Sequence, residues 1–530
     1  MAKSLIKLLQ QSIQSHWSTK ALSDYHGDDF TYGDIAHIID DYHGLFREFG
    51  IQRGDHIALC GNGCARWGIA FMAVVSYGAV AVPILTGFTP QQIQDIVTHS
   101  ESRLLFASAS IRSVLDISEM PLLENILNLE DIQHPVEYKL AAADINYQEE
   151  MSPEDLVMLN YTSGTTGFSK GVMLPYRSFC GNFEFFQASF GHIMKAETPH
   201  LSILPLAHMY GLTLEFICPF LNGCHVTFLC RTPSPAILMQ ALSDIHPRIV
   251  MAVPLIIEKL AKQTVLPLVK KSRLGKIMHW PVVGMFARQY LHYKLLKAFG
   301  GKLCEVISGG AAINRSIEQT LRDLKFPLTE AYGATECGPM ISFSDYKKKR
   351  QCSCGTAVTG MELRIDSTDP HNVAGEILAR GQNTMLGYHK NPEATAMALD
   401  EDGWYHTGDN GVIDADGYLF IRGRKKNMLL GSNGQNIYPE EIEDQLNTLL
   451  LVSESIVVQR DGRLVALVYP DYDEANELGL NDENVRNIMK LNTTDINELI
   501  PAYEQIHHIE IHEVEFEKTA KKTLKRYLYK

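Results

Sequence analysis

Between residues 35 and 83 the sequence alternates two helical patterns with two short apolar runs: a helix over 35–49, a strand at His56-Ile57-Ala58-Leu59, a helix over 65–77 and a strand over 79–83. This alternation limits the folding choices most, because strands separated by helices are wound into a largely parallel sheet of an α/β domain. The same grammar returns at His225-Val226-Thr227-Phe228-Leu229, a helix over 236–245 and Ile249-Val250-Met251-Ala252. From about 355 to 421 the pattern changes to short strands separated by Gly, Asp and Asn, Gly375-Glu376-Ile377-Leu378-Ala379 among them, which predicts a small β-rich subdomain. A chain of 530 residues exceeds one core, so at least two domains are expected. The boundary is placed at Arg424 to Asn427, where a polar, charged stretch could absorb backbone rotation; it separates residues 1–423 from a tail over 424–530 of a size that folds alone.

Charge and cysteine usage remove several function classes. A net charge of -14 argues against general binding to nucleic acid, a polyanion. One basic stretch stands out: residues 270–302 hold eight Lys and Arg and no Asp or Glu, interleaved with Trp280, Phe286, Tyr290 and Tyr293. It reads either as a peripheral contact with the inner face of a membrane or as a solvated helical face packed on a larger domain. Ten scattered cysteines without paired metal-ligand spacing read as free thiols of a reducing cytosol, a cytoplasmic setting. Leu5, Ile6, Leu8, Leu9 and Ile13 follow helical spacing broken by polar residues, which suits an amphipathic helix better than a secretion signal. No run of eighteen apolar residues occurs, so no membrane span is expected.

Tyr161-Thr162-Ser163-Gly164-Thr165-Thr166-Gly167-Phe168-Ser169-Lys170-Gly171 follows the apolar run Leu156-Val157-Met158-Leu159. Glycines let backbone N–H groups turn inward, hydroxyls add donors and Lys170 adds a positive charge, a composition suited to a polyphosphate. It is not a Walker A loop, since the lysine follows Ser169 and precedes Gly171. Taken alone, the segment reads equally as a flexible linker.

With four further segments it closely resembles the adenylate-forming, AMP-binding superfamily of acyl-CoA synthetases, luciferases and nonribosomal peptide adenylation domains, and within it the long-chain fatty-acid CoA ligases. Those segments are Ala331-Tyr332-Gly333-Ala334-Thr335-Glu336, Gly403-Trp404-Tyr405-His406-Thr407-Gly408-Asp409, Gly423-Arg424-Lys425-Lys426-Asn427 and Gly434-Gln435-Asn436-Ile437-Tyr438-Pro439; Phe30-Thr31-Tyr32-Gly33-Asp34 matches the family's opening. The resemblance implies an α/β fold: a large N-terminal region of two α/β sheets plus a small β-barrel, followed by a smaller mobile α+β C-terminal lid that turns about Lys426. It implies ATP, Mg²⁺ and CoA as the small molecules handled. Thr162, Ser163, Gly164, Thr165, Thr166 and Gly167 would line the phosphates with Lys170, and Thr165 and Glu336 would hold Mg²⁺, a hard cation that prefers oxygen. Tyr332 and Gly333 would sit on the adenine, Thr335 at the phosphate, Asp409 on both ribose hydroxyls, and Arg424 on the ribose or phosphate. Gly434 would let the pantetheine arm pass. His208, in Pro205-Leu206-Ala207-His208-Met209-Tyr210-Gly211, would lie beside the carboxylate, although its apolar surroundings equally suit a core histidine. Gly310 and Ala311 would lie between the adenine and acyl pockets, where helix packing would also use small residues.

One departure concerns the C-terminal motif that resembles Lys-Thr-x-x-x-Lys-Ile-x-Arg. In Glu517-Lys518-Thr519-Ala520-Lys521-Lys522-Thr523-Leu524-Lys525-Arg526, Thr523 holds the register of the family's adenylation lysine. Either Lys522 takes that role through a one-residue shift, with Lys521 the next candidate, or adenylation is impaired. The implied reaction joins a carboxylic acid to AMP with loss of pyrophosphate and then to a thiol. Phe185-Phe186 and the apolar residues 214–221 suggest a long-chain fatty acid. CoA is the expected acceptor, with acyl carrier protein as the alternative. A nucleotide-binding pseudoenzyme is the reading of another class.

Overall fold

The computed structural model describes residues 4–130, 141–147, 151–162, 170–231, 233–264, 267, 269, 283–431, 435–519 and 524–529. The expected alternation is present: helices Tyr32–Glu48 and Ala65–Tyr77 alternate with strands His56–Cys60 and Val80–Ile84. The first helix begins earlier than its apolar pattern, at Tyr32, because Thr31 and Asp34 form a capping box: the Thr31 hydroxyl accepts from Asp34 N–H at 3.1 Å, and the Asp34 carboxylate accepts from Thr31 N–H at 2.8 Å. The family-like opening segment is therefore a helix start. Ala65–Tyr77 ends at Gly78, whose φ of 85° supplies the left-handed cap. The amphipathic N-terminal helix Leu5–Ser15 buries Leu5, Ile6, Leu8, Leu9 and Ile13 in the main core.

A seven-stranded sheet carries the phosphate-side segment. Its order is Gly387–Tyr388, Lys170–Pro175, Leu156–Thr162, Val80–Ile84, His56–Cys60, Leu104–Ala107 and Asn125–Asn128. The first three strands pair antiparallel, and from Leu156–Thr162 onward the pairing is parallel. A second layer holds Asp29–Thr31, Lys20–Asp24, His225–Phe228 and Pro199–Ser202 as one four-stranded sheet, and Ile249–Ala252, Glu305–Ser308 and Leu328–Glu330 as a parallel three-stranded one. Pro199–Ser202 and Ile249–Ala252 lie against each other, but no ladder joins them among the described residues.

The β-rich subdomain is an open antiparallel sheet of Met361–Asp366, Gly375–Gly381, Tyr405–Ile413 and Leu419–Arg424; its outer strands do not pair to close the expected barrel. Beyond it, Val452–Arg460, Arg463–Pro470 and Ile506–Ile511 form a sheet covered by the helices Pro439–Leu446 and Asp482–Leu499, around a core of its own that includes Ile442, Leu446, Ala466, Val468 and Ile496. Between the two, Lys425–Asn427 is a single 3₁₀ turn. The C-terminal unit touches the larger region through a hydrogen bond donated by the Asn314 side-chain amide to the Asn447 carbonyl, 2.9 Å.

Candidate active site

Lys170 opens the strand Lys170–Pro175, and its backbone pairs with Thr162 at the end of Leu156–Thr162, so the two strands bring the ends of the glycine-rich segment together. The adjacent edge strand Gly387–Tyr388 pairs with Met173 and Val172, which sets the Tyr388 ring beside Lys170; the ammonium lies 4.7 Å from the ring centroid, a cation–π distance. The Tyr388 hydroxyl donates to Glu336 Oε1 at 2.9 Å. Burial, then the Glu336 charge, raises the phenol's pKa, so it stays protonated and a donor. Glu336 lies with Thr335 in the 3₁₀ turn Thr335–Cys337, which Met385 N–H ties down by donating to the Glu336 carbonyl at 2.8 Å. Tyr388 thus joins two sequence-predicted residues whose segments are far apart in the chain.

A second set forms beside it. The buried Tyr332 donates its hydroxyl to Asp409 Oδ2 at 2.7 Å, and Arg424 Nε meets Asp409 Oδ1 at 2.8 Å. Asp409 and Arg424 face each other because Tyr405–Ile413 and Leu419–Arg424 are paired in that register. Burial raises the Asp409 pKa, opposed by the Arg424 charge and the Tyr332 hydrogen bond. Gly333 has no room for a side chain: a Cβ would meet the Pro339 carbonyl oxygen at 2.3 Å.

His208 follows a segment held from two sides. The Asn160 amide, on the strand that leads to Thr162, donates to the Ala207 carbonyl at 3.0 Å. The fully buried Glu215 accepts through Oε2 from Leu204 N–H at 2.8 Å, Ile203 N–H at 3.0 Å and the Ser202 hydroxyl at 3.2 Å. Its Oε1 is buried without a hydrogen-bond partner, and burial pushes the carboxyl up to about 8. Glu215 lies in the π-helix Gly211–Ile217, where Thr213 donates to the Gly338 carbonyl at 3.2 Å and so links this segment to the Glu336 turn. Tyr210 donates to the Ile307 carbonyl at 2.9 Å and closes over Gly309, where a Cβ would sit 3.2 Å from its ring. Gly310, at φ 86°, and Ala311 follow on the exposed loop.

Ser163, Gly164, Thr165, Thr166, Gly167, Gly434, Lys521, Lys522 and Thr523 lie outside the described residues, as do residues 270–282 of the basic stretch. Flanking the C-terminal motif, Lys518 pairs with Glu454 at 2.7 Å, Lys525 with Glu517 at 3.0 Å, and Arg526 with Glu443. The apolar residues read as an acyl tunnel are packed into the core: Phe185 and Phe186 are 2% and 0% exposed, and Leu214 to Leu221 are buried throughout. Among the described residues no group of three or more His, Cys, Asp or Glu could hold a metal. A magnesium ion carried on a nucleotide needs only one or two protein carboxylates, because phosphate and water oxygens fill its other positions, and Glu336 fits that requirement. Sequence reading missed Tyr388, Asn160 and Glu215. Only the Gly-Tyr pair at 387–388 could have signalled the first.

These two sets, a lysine and a carboxylate joined by a tyrosine and an aspartate shared by a tyrosine and an arginine, lie on a fold with known counterparts. A family model described as AMP-binding enzyme matches residues 9–389, and one described as AMP-binding enzyme C-terminal domain matches 426–529. The chain belongs to the AMP-binding enzyme family. It is 29% identical over 441 residues to long-chain-fatty-acid–CoA ligase FadD15 of Mycobacterium bovis, covering 77% of this chain and 72% of the relative. It is also 29% identical over 453 residues to 4-coumarate–CoA ligase 1 of Arabidopsis thaliana, covering 78% and 73%. Its fold matches ATP-bound MatB from Rhodopseudomonas palustris with a TM-score of 0.78 at 20% identity, over 99% of this chain and 98% of that one.

Proposed function

We propose that the protein is an AMP-forming acid–thiol ligase that activates a long-chain fatty acid and passes it to CoA. The observation that carries this reading is the convergence just described: Lys170 and Glu336 meet at Tyr388, and Tyr332, Asp409 and Arg424 form one hydrogen-bonded set, although the chain delivers them from five separate segments. In the first step an acid carboxylate attacks the α-phosphorus of ATP, the bond to pyrophosphate breaks, and acyl-AMP forms. Lys170 and the amides and hydroxyls of 162–167 take up the charge that develops on the phosphate oxygens, and Thr335 contacts phosphate. Magnesium held by Glu336, with Thr165 as a second ligand, would neutralise charge on the leaving pyrophosphate. Tyr332 and Gly333 contact the adenine, Asp409 the ribose hydroxyls, and Arg424 the nucleotide from the other side. His208 and the backbone at Gly310 and Ala311 face the acyl group.

In the second step a thiol attacks the acyl carbon and AMP departs. Residues 424–530 act as a lid over 1–423, turning about Lys426 so that Gly434 lines the pantetheine path. A long-chain acid resides in bilayers, so a cytoplasmic enzyme of this kind would work at the inner face of a membrane. The relatives named for a long-chain acid and for 4-coumarate are equally similar to this chain, and residues 185–186 and 214–221 are core, so the fatty acid rests on the family resemblance alone.

Pyrophosphate release on mixing MgATP with a panel of carboxylates tests the ligase. Adding CoA or acyl carrier protein, with mass spectrometry of the thioester, then identifies the acceptor. Each methylene buried contributes about 0.8 kcal/mol, so turnover at low substrate should rise with chain length up to palmitate. Better use of acetate or an aromatic acid would overturn the fatty-acid assignment. Nucleotide binding without pyrophosphate release from any acid would favour the pseudoenzyme reading, which Thr523 in the lysine register supports.

A further inference from the structure

The helix Val283–Ala298 carries apolar residues on two stripes, one buried and one exposed. Its inward stripe, Ala287, Leu291 and Leu295, is 4%, 0% and 0% exposed and packs into the second core. The outward stripe of a helix on a water-soluble surface is normally polar. Here Phe286, Tyr290, Tyr293 and Lys297 follow one another at i, i+4, i+7 and i+11 on the outward side. Phe286 is 62%, Tyr290 47% and Tyr293 63% exposed, and Met285 beside them is 52% exposed. Leu255, on the adjacent helix Pro254–Thr264, is 50% exposed. The charged residues on this helix itself have one sign. The Lys294 ammonium lies 5.2 Å from the Tyr290 ring centroid, Lys297 shares the stripe, and no Asp or Glu occurs anywhere between 270 and 302.

We propose that this face docks the protein onto an anionic lipid bilayer, with Phe286 and Met285 entering the acyl boundary, Tyr290 and Tyr293 at the headgroup level, and Lys294 and Lys297 on the lipid phosphates. Aromatic rings with a polar tip favour the membrane interface, and the stems of lysines extend their ammonium groups to headgroups while lying along apolar surface. Charge selects the occupant. Lys294 and Lys297, on a helix without Asp or Glu, give this face a local attraction for an anionic surface that the net charge of -14 does not supply. A second copy pairing through the same patch across a two-fold axis would set Lys294 and Lys297 against their own counterparts, which is repulsive. None of these residues belongs to the candidate active site, so the surface stands or fails independently of the ligase reading.

Flotation of the full-length protein with vesicles of equal parts phosphatidylcholine and phosphatidylglycerol, beside vesicles of phosphatidylcholine alone, tests the face. Wild-type protein is expected to float with the anionic vesicles at low salt and to be released at high salt. F286E/Y290E/Y293E should lose at least about tenfold in partitioning, since three anchors become anionic. K294E/K297E should lose roughly fivefold or more for each charge at low salt. All these positions are at the surface, so melting temperature and pyrophosphate release should match wild type. If the triple variant does not fold, the lysine pair decides. Absence of wild-type flotation, equal binding to neutral vesicles, or undiminished flotation of the variants would overturn the proposal. So would a wild-type dimer that the triple variant abolishes, which would assign the face to a second copy.

Discussion

Tyr388 contributes geometry rather than charge: its ring lies against the Lys170 ammonium and its hydroxyl orients Glu336. Lys170→Ala and Glu336→Ala should each slow adenylation by about 10²-fold or more, because the proposed site puts each group where phosphate charge develops. Near-normal pyrophosphate exchange in both variants would remove them from the phosphate site. Tyr388→Phe keeps the ring beside Lys170 and deletes only the hydrogen bond to a carboxylate, an interaction whose loss costs enough to raise the magnesium concentration for half-maximal adenylation about tenfold. An unchanged magnesium titration would mean that Tyr388 is only packing. Lys170 and Glu336 were singled out because each stands in a short motif that carries the family resemblance. Tyr388 was not, since its role comes from an edge strand that pairs with Lys170–Pro175 across more than two hundred residues of chain.

At the scale of elements, the π-helix Gly211–Ile217 presents Glu215 to the segment that leads to His208. The carboxyl's ordinary value of 4.5 is pushed up to about 8 by burial, so between those values the folded protein keeps a proton that the unfolded chain has lost. Stability contributed by this group therefore falls as pH rises through that window and is constant above it. Glu215→Gln mimics the protonated acid and cannot titrate. Its stability relative to wild type should improve by about 1.4 kcal/mol per pH unit at most across the window. Urea unfolding of both proteins from pH 5 to 9 measures this, and a pH-independent difference would show that the proton is not held. Gly333→Ala tests the adjoining turn. Its new Cβ would collide with the Pro339 carbonyl, so a loss of about 1–3 kcal/mol in stability, measured by thermal melting, is expected. The helices and strands themselves were readable because burial patterns repeat locally. The capping box that starts Tyr32–Glu48 shows how a polar pair moves a boundary that apolar spacing alone places later.

At the scale of the whole molecule, the proposed lid motion separates the two half-reactions, and the C-terminal lysines should report on only one of them. Lys522→Ala should slow adenylation by the cost of a lost transition-state cation, roughly 2.7–4 kcal/mol, while a surface lysine should cost almost nothing. Thioester formation from preformed acyl-AMP should be spared in Lys521→Ala, Lys522→Ala and Lys525→Ala alike. If Lys522→Ala adenylates normally and a neighbour does not, the register is wrong; if all three are silent, the proposed role of this loop fails. The sequence by itself determined the α/β class and the family, because periodicity and motif order are properties of the chain read in line. It also singled out the basic stretch, since charge needs no fold to be counted. Only tertiary structure decided that Tyr332 and Arg424 share Asp409, that Phe185 and Phe186 fill core, and that Phe286, Tyr290 and Tyr293 face outward. Hydrogen-bond partners and side-chain exposure depend on which distant surfaces meet, and local sequence carries no record of that meeting.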